Sequence, residues 1–177
     1  MPKQNKEKNQ EKNKTENDKT VNEKEEKKIK ALKERYENLR KKYSLPSFDE
    51  LNKEFEIEQL IKHKTMFLLK FIRRCIYDKF SFFAGVFDSL LSGLRVSGMM
   101  ALKKISDEEK RKIYDFIEKV SRIRFESLKL ELEYDEKNEA EMIKRLYDEW
   151  KKMKPEILAI LNACIAERKS QELKYLG

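Results

Sequence analysis

The sequence predicts an all-α fold, a helical bundle of about five helices with a long central helix at about residues 57–92 and a disordered tail rich in Lys, Glu and Asn before it. Three observations support this. Only 4 Gly and 3 Pro interrupt 177 residues, so the chain lacks the turn residues that β-rich folds need. Apolar residues recur at helical spacing through most of the chain, and 42% of all residues are charged, as on solvated helix faces.

Residues 1–28 are predicted to form the disordered tail. Apart from proline, their only apolar side chains are Met1 and Val21, too few to offset the entropy of ordering the segment. The net charge of the whole chain is +8, and residues 1–44 contribute most of it, with 15 Lys and Arg against 9 Asp and Glu. Such a segment either keeps the protein soluble or contacts an anionic polymer loosely.

Residues 29–44 are predicted to form an amphipathic docking helix. Its apolar side chains follow the 3, 4, 3, 4 spacing of a coiled-coil seam: Ile29, Leu32, Tyr36, Leu39 and Tyr43. The seam covers only about two heptads, which is short for an independent coiled coil. We therefore expect this helix to pack either on the rest of the chain or on a partner.

A helical bundle domain is predicted over residues 45–177. Pro46 disfavours helix in the residue before it, which places a linker near residues 44–47. The run from Ser47 to Glu50 has the form of a capping box that starts a short helix.

The central helix is the expected source of most of the core. Six of the ten Phe lie between residues 67 and 87, and apolar residues cover most of its circumference. A helix apolar over so wide an arc has to be surrounded by other helices.

The next helix is predicted from the capping box at Ser106 to Glu109 as far as about Glu133. Its inward residues are expected to be Ile113, Phe116, Ile117, Val120, Ile123 and Leu128. Leu128, Leu130, Leu132 and Tyr134 alternate as in a strand, but no second strand candidate exists to pair with them, so we predict helix here too.

Two further helices are expected in the C-terminal part. The first contains Ala140 to Met153, and the second begins at Pro155, which suits the first turn of a helix. The second is apolar nearly all round between Ile157 and Ala166. It is therefore expected either to lie between other helices or to form half of a self-association surface.

The sequence contains few of the residues that catalysis or metal binding requires. There is one His, and Cys75 and Cys164 are far apart, so no Cys/His zinc site is expected. No phosphate-binding glycine loop, nucleophile elbow or metalloprotease motif is present. We predict a protein that is not an enzyme and has no cofactor or metal. Two isolated thiols without a signal peptide favour the cytoplasm.

The sequence does not predict membrane insertion. The window from Phe80 to Leu102 carries only Asp88 and Arg95 as charges, and small residues recur every four positions in it. The two charges and the helix breaks predicted at Gly93 and Gly98 make it a poor membrane span.

One face of the central helix is the candidate binding site for an anionic partner. We call it the cationic stripe: His63, Lys70, Arg73, Arg74 and Tyr77. Several cations and an aromatic ring on one rigid face could contact phosphates or an acidic protein surface. The alternative is that this face is only solvated, as charged helix faces usually are.

Arg73-Arg74 on one long helix, followed by the run from Ser106 to Glu109 and a second long helix, loosely resembles the helical domain of GINS replication subunits. The resemblance covers these two helices, lacks a small β domain, and implies a subunit of a nucleic-acid machine. We expect a non-enzymatic interaction module of a larger assembly, with a protein partner or self-association, and nucleic acid bound non-specifically if at all. The alternative is a protein-only scaffold or a peripheral membrane protein.

Overall fold

A computed structural model of the protein describes residues 26–62, 66–92 and 106–175, without the side chains of 61–62, 164 and 166–175. The all-α prediction is confirmed. The α-helices are α1 (26–43), α2 (Phe48–Phe55), α3 (Leu68–Leu91), α4 (Asp107–Leu132) and α5 (Glu136–Tyr175), with a 3₁₀ helix at Ile57–Lys62. The predicted tail falls outside the described residues up to residue 25, and its last residues, 26–28, already belong to α1.

The chain divides into two compact units, Met1–Leu68 and Leu69–Gly177. The described part of the first unit contains α1, α2 and the 3₁₀ helix, and that of the second contains α3, α4 and α5. The linker that we predicted at residues 44–47 thus lies inside the first unit.

Helix α1 packs within the first unit through the seam that its spacing predicts. Leu32 and Tyr36 are buried, and the Tyr36 ring meets the Phe48 ring edge-on at a centroid distance of 5.7 Å. The Tyr36 hydroxyl donates a hydrogen bond of 2.7 Å to the carbonyl oxygen of Pro46. Burial raises the pKa of the Tyr36 phenol above its ordinary value. These contacts of α1 are made within its own unit.

A local signal in the sequence sets the start of α2. Ser47 caps its start, since its hydroxyl accepts a hydrogen bond from the Glu50 N–H while the Glu50 carboxylate accepts one from the Ser47 N–H, which confirms the predicted capping box. Glu56 ends the helix in the left-handed conformation, with φ of 54°. The 3₁₀ helix follows directly and contacts α2.

The second unit is an up-down-up bundle of three helices. Near the start of α3, Arg73 contacts Glu139 of α5. About two turns further along α3, Phe80 contacts Trp150 of α5, so α3 and α5 run parallel. Phe87 near the end of α3 contacts Phe116 near the start of α4, so α4 runs antiparallel to both. The core between them contains Ile72, Ile76, Phe80, Phe87, Ile113, Phe116, Val120, Ile123, Ile143, Leu146 and Trp150.

The predicted central helix at 57–92 is shorter in the structure. Helix α3 begins at Leu68, and Ile57 and Leu60 belong to the 3₁₀ helix of the first unit, where both are buried. The apolar pattern of the sequence continues across this boundary because both segments bury apolar side chains. Periodicity reports burial, and it does not report which neighbour provides it.

The predicted break at Pro155 is also wrong, because α5 is one helix from Glu136 to Tyr175 with Pro155 inside it. Pro155 cannot donate the backbone hydrogen bond to the carbonyl of Lys151. Buried residues hold the helix on both sides of the proline, Trp150 and Met153 before it and Ile157 and Ile160 after it. Their packing outweighs the local loss.

Asp135 starts α5 in the tight connection after α4. Its Oδ1 accepts a hydrogen bond of 2.7 Å from the Asn138 N–H. We expect Asp135→Ala to lower the free energy of unfolding by about 1 kcal/mol, the usual effect of losing an N-cap. Urea unfolding followed by circular dichroism measures this. Asp135→Asn, which keeps the acceptor, should stay near wild type, and equal losses in both variants would contradict the capping role.

Candidate functional site

The cationic stripe leads to a cluster of ion pairs at one end of the second unit. Lys70, Arg73 and Arg74 lie in the first two turns of α3, where the end of α4 provides Glu131 and the start of α5 provides Glu139. We call these five residues the ion-pair cluster. Of the other stripe residues, Tyr77 is half-buried one turn further along α3, and His63 lies outside the described residues.

Arg73 is the centre of this cluster. Its Nε donates to Oε2 of Glu139 at 2.6 Å, and its Nη2 donates to Oε1 of Glu139 at 3.3 Å and to Oε1 of Glu131 at 2.7 Å. The side chains of Arg73 and Glu139 are 1% and 0% exposed. A charge so deeply buried is tolerated only when it is paired and hydrogen-bonded, and this fork-to-carboxylate geometry provides both.

Three cationic side chains contact the Glu131 carboxylate at the rim of the cluster. Lys70 Nζ lies 2.8 Å from Oε2 of Glu131, Arg74 Nε donates to Oε1 at 2.8 Å, and Arg73 and Arg74 each add a contact through Nη2. The hydrogen bond from Arg74, with those from Lys70 and Arg73, holds the pKa of the Glu131 carboxyl well below its ordinary value.

The structure corrects the sequence-based placement of Arg73 on a solvated face. A helical wheel identifies residues on the same face of α3, but it does not show what lies opposite that face. Here the turn between α4 and α5 brings two carboxylates against it. Arg74 stays about half exposed and Lys70 is partly covered. Binding of an anionic partner by the stripe stays a prediction, and any such anion has to compete with Glu131 and Glu139.

The ion-pair cluster fixes how α3 meets the α4–α5 hairpin. Three cations face two carboxylates, and the hydrogen bonds between them define one alignment of the three helices. Within the described residues no group of three or more His, Cys, Asp or Glu is placed to hold a metal ion. The contacts that the cluster makes are ion pairs and hydrogen bonds between α3 and the ends of α4 and α5.

Glu131 should make the stability of the second unit depend on pH. Its folded-state pKa lies below the ordinary value of 4.5, so its contribution is complete above pH 4.5 and is lost as the pH falls below that value. We expect the difference in urea midpoint between wild type and Glu131→Gln to be largest near neutral pH and to shrink below pH 4.5. A difference that stays constant down to acidic pH would contradict this assignment.

A second surface lies on the outer face of α4. Phe125, Leu128 and Leu132 are 72%, 49% and 87% exposed, and Tyr114 is 60% exposed. Together with the exposed Ser121 they form a line on the side of α4 that faces away from the core. We call this line the outer seam: Tyr114, Ser121, Phe125, Leu128 and Leu132.

The outer seam was not predicted from the sequence. Leu128 was expected to face inward, and the structure corrects this, because Ser127 takes the inward position and Leu128 points outward. The signal was present as a spacing of 7, 4, 3 and 4 between the seam residues. It was hidden because a second apolar line, through Ile113, Phe116, Val120 and Ile123, runs along the opposite side of the helix.

Cations border the outer seam on both sides. Arg122 and Lys129 lie along one edge and Arg124 along the other, and all three are exposed. Arg122 pairs with Glu118 on the same helix. Within the described part of the chain neither Arg124 nor Lys129 forms an ion pair. The bordering charges that lack an ion pair in that part of the chain, Arg124 and Lys129, are thus both positive.

In the described ranges, no helix combines the length and the apolar character that a membrane crossing requires. Comparison with known proteins identifies no family, since no family model, curated protein or solved structure matches the chain. The resemblance to GINS subunits has no support from these comparisons.

Proposed function

We propose that this protein is a non-enzymatic helical interaction module that binds another protein of a larger assembly through the outer seam of α4. The observation that carries the proposal is the exposure of Phe125, Leu128 and Leu132 in one line on a regular helix. Single exposed apolar residues are ordinary on protein surfaces, whereas a contiguous line marks an interaction site.

The inward face of α4 already supplies its share of the core. Ile113, Phe116, Val120 and Ile123 are buried against the other helices of the second unit. The outer seam is therefore not needed to hold α4 in place. Its spacing is that of a helix which meets a second helix by coiled-coil packing, so a helical partner fits it best.

A protein partner is favoured over nucleic acid by the state of the cationic stripe. Lys70, Arg73 and Arg74 all face carboxylates of the same unit. A phosphate backbone would have to displace Glu131 to contact these cations. Even then it could not reach Arg73, which is buried. Non-specific electrostatic binding relies instead on mobile, exposed cations.

Site-specific photocrosslinking tests the proposal. A benzophenone amino acid is placed at position 125 or 132 of the full chain in the cells that naturally express it. The matched control is position 119, which is exposed on a different face of α4. We expect the same discrete heterologous adduct from 125 and 132 and none from 119. No adduct from the seam, or equal adducts from all three positions, would reject the outer seam as the binding surface.

A further inference from the structure

The border of the outer seam identifies the kind of partner that fits it. In coiled-coil terms Phe125 and Leu132 occupy position a and Ser121 and Leu128 occupy position d, so Arg122 and Lys129 fall at position e and Arg124 at position g. The e and g residues face the partner helix and select it by charge. The remaining g residue, Glu131, is already engaged by Lys70, Arg73 and Arg74.

The same border disfavours a second copy of this chain. In a parallel pair of α4 helices, Arg124 of one copy would face Lys129 of the other. In an antiparallel pair with Phe125 opposite Leu128, Arg122 would face Lys129, and Arg124 would face a Glu131 that already pairs with cations of its own unit. In both arrangements two pairs of cations face each other across the interface, and their repulsion opposes association. The antiparallel pair also sets Ser121 against Leu132, where it buries a hydroxyl beside an apolar side chain.

Other segments of the chain do not fit the seam either. Residues 1–25 contain almost no apolar side chains. The segment 93–105 is apolar, but it is tied to α3 at residue 92 and to α4 at residue 106. A segment that left α3 at residue 92, contacted Leu128 and returned to α4 at residue 106 would have to cover roughly 58 Å, at 1.5 Å per helical residue. Fourteen extended peptide links span at most roughly 50 Å, so the segment cannot reach Leu128 or Leu132.

An anionic membrane surface also attracts an apolar line with basic borders, but α4 is poorly suited to it. Membrane-surface helices carry a broad apolar face with Lys and Arg around it. The outer seam is instead a single narrow line of side chains along α4.

We propose that the outer seam binds an acidic amphipathic helix, with apolar residues at its a and d positions and Glu or Asp at its e and g positions. This inference rests on the proposed function and adds the chemistry of the partner. Carboxylates of such a helix would pair with Arg124 and Lys129, which lack an ion pair among the described residues, while its apolar side chains cover Phe125, Leu128 and Leu132.

Fluorescence anisotropy with synthetic helical peptides tests this on the full chain. The acidic probe has about three heptads with Leu at a and d and Glu at e and g. A second probe has Lys at e and g, and a third keeps the Glu residues but has Gln at a and d. We expect the acidic amphipathic probe to bind at least about tenfold more tightly than either of the others, and to weaken with added salt.

Two variants assign the binding to the seam. Phe125→Ser with Leu132→Ser should weaken binding of the acidic probe at least about tenfold, because buried aromatic and aliphatic anchors dominate such interfaces. Arg124→Glu with Lys129→Glu should reverse the preference toward the basic probe. The matched control, Lys119→Glu with Lys137→Glu, makes the same change in net charge on other faces and should leave the preference unchanged. The substituted residues are exposed, and unchanged urea midpoints check that each variant folds.

Several outcomes would overturn the inference. These are equal binding of the acidic and basic probes, no binding of either, reversal by the control pair as well, a seam-dependent dimer, or seam-dependent binding to vesicles containing phosphatidylserine. Failure with all peptides alongside a discrete photocrosslink from position 125 would reject the acidic helix but keep the proposed function. Failure of both would reject the two together.

Discussion

Replacing Arg73 with Met is expected to lower the free energy of unfolding by about 3–5 kcal/mol. Met has a similar length but no charge, so Glu139, which is 0% exposed, would be left buried without its main partner. The cost comes mainly from that orphaned carboxylate and less from the loss of favourable contacts. Trp150, the single Trp of the chain, lies in the same unit and reports its urea unfolding by fluorescence.

The double variant Arg73→Met with Glu139→Met separates these causes. Replacing a buried pair by apolar residues is often close to neutral, so we expect the double variant to recover most of the lost stability. Arg122→Met, which removes an exposed pair with Glu118, is the matched surface control and should cost less than about 1 kcal/mol. If Arg73→Met also costs less than about 1 kcal/mol, the pair of Arg73 and Glu139 is not buried as described.

Phe80→Ala is expected to lower the free energy of unfolding by about 3–5 kcal/mol, because it opens a cavity in a packed core. The Phe80 ring is fully buried and meets the Trp150 ring edge-on at a centroid distance of 5.5 Å. The chain offers a control two residues away on the same helix, since Phe82 is 64% exposed.

Phe82→Ala should therefore change the free energy of unfolding by less than about 1 kcal/mol. Both variants remove the same atoms from the same helix, so their difference measures burial and not helix propensity. Urea unfolding followed by circular dichroism at 222 nm gives both values. This signal reports helix content and does not depend on the environment of Trp150. Equal losses from the two variants would show that α3 presents a different face to the core.

The elements that could be predicted from sequence are those set by neighbours along the chain. The capping boxes at Ser47 and Ser106 form as their residue types indicate, since each bond joins residues three positions apart. The seam of α1 buries Leu32 and Tyr36 as its spacing predicts. In α4 the inward positions Ile113, Phe116, Val120 and Ile123 were also identified correctly.

The elements that could not be predicted depend on what lies opposite a helix. Ile57 and Leu60 continue the apolar pattern of α3 but belong to the other unit. Pro155 lies inside a helix because packed residues on both sides hold it there. Leu128 was assigned to the core because α4 carries apolar lines on two sides, and only the packing shows which one α3 and α5 cover.

The sequence by itself determined that this chain is helical, where its capped helices begin, and that positive charge is concentrated in its first 44 residues. These properties follow from local hydrogen bonds, from side-chain spacing and from composition. Only the tertiary structure decided which charges remain available. It brings Glu131 and Glu139, more than fifty residues away in the chain, against Lys70, Arg73 and Arg74, and it leaves Phe125, Leu128 and Leu132 uncovered. The reason is physical: whether a side chain is exposed or paired depends on the surface packed against it, which the periodicity of one helix does not encode.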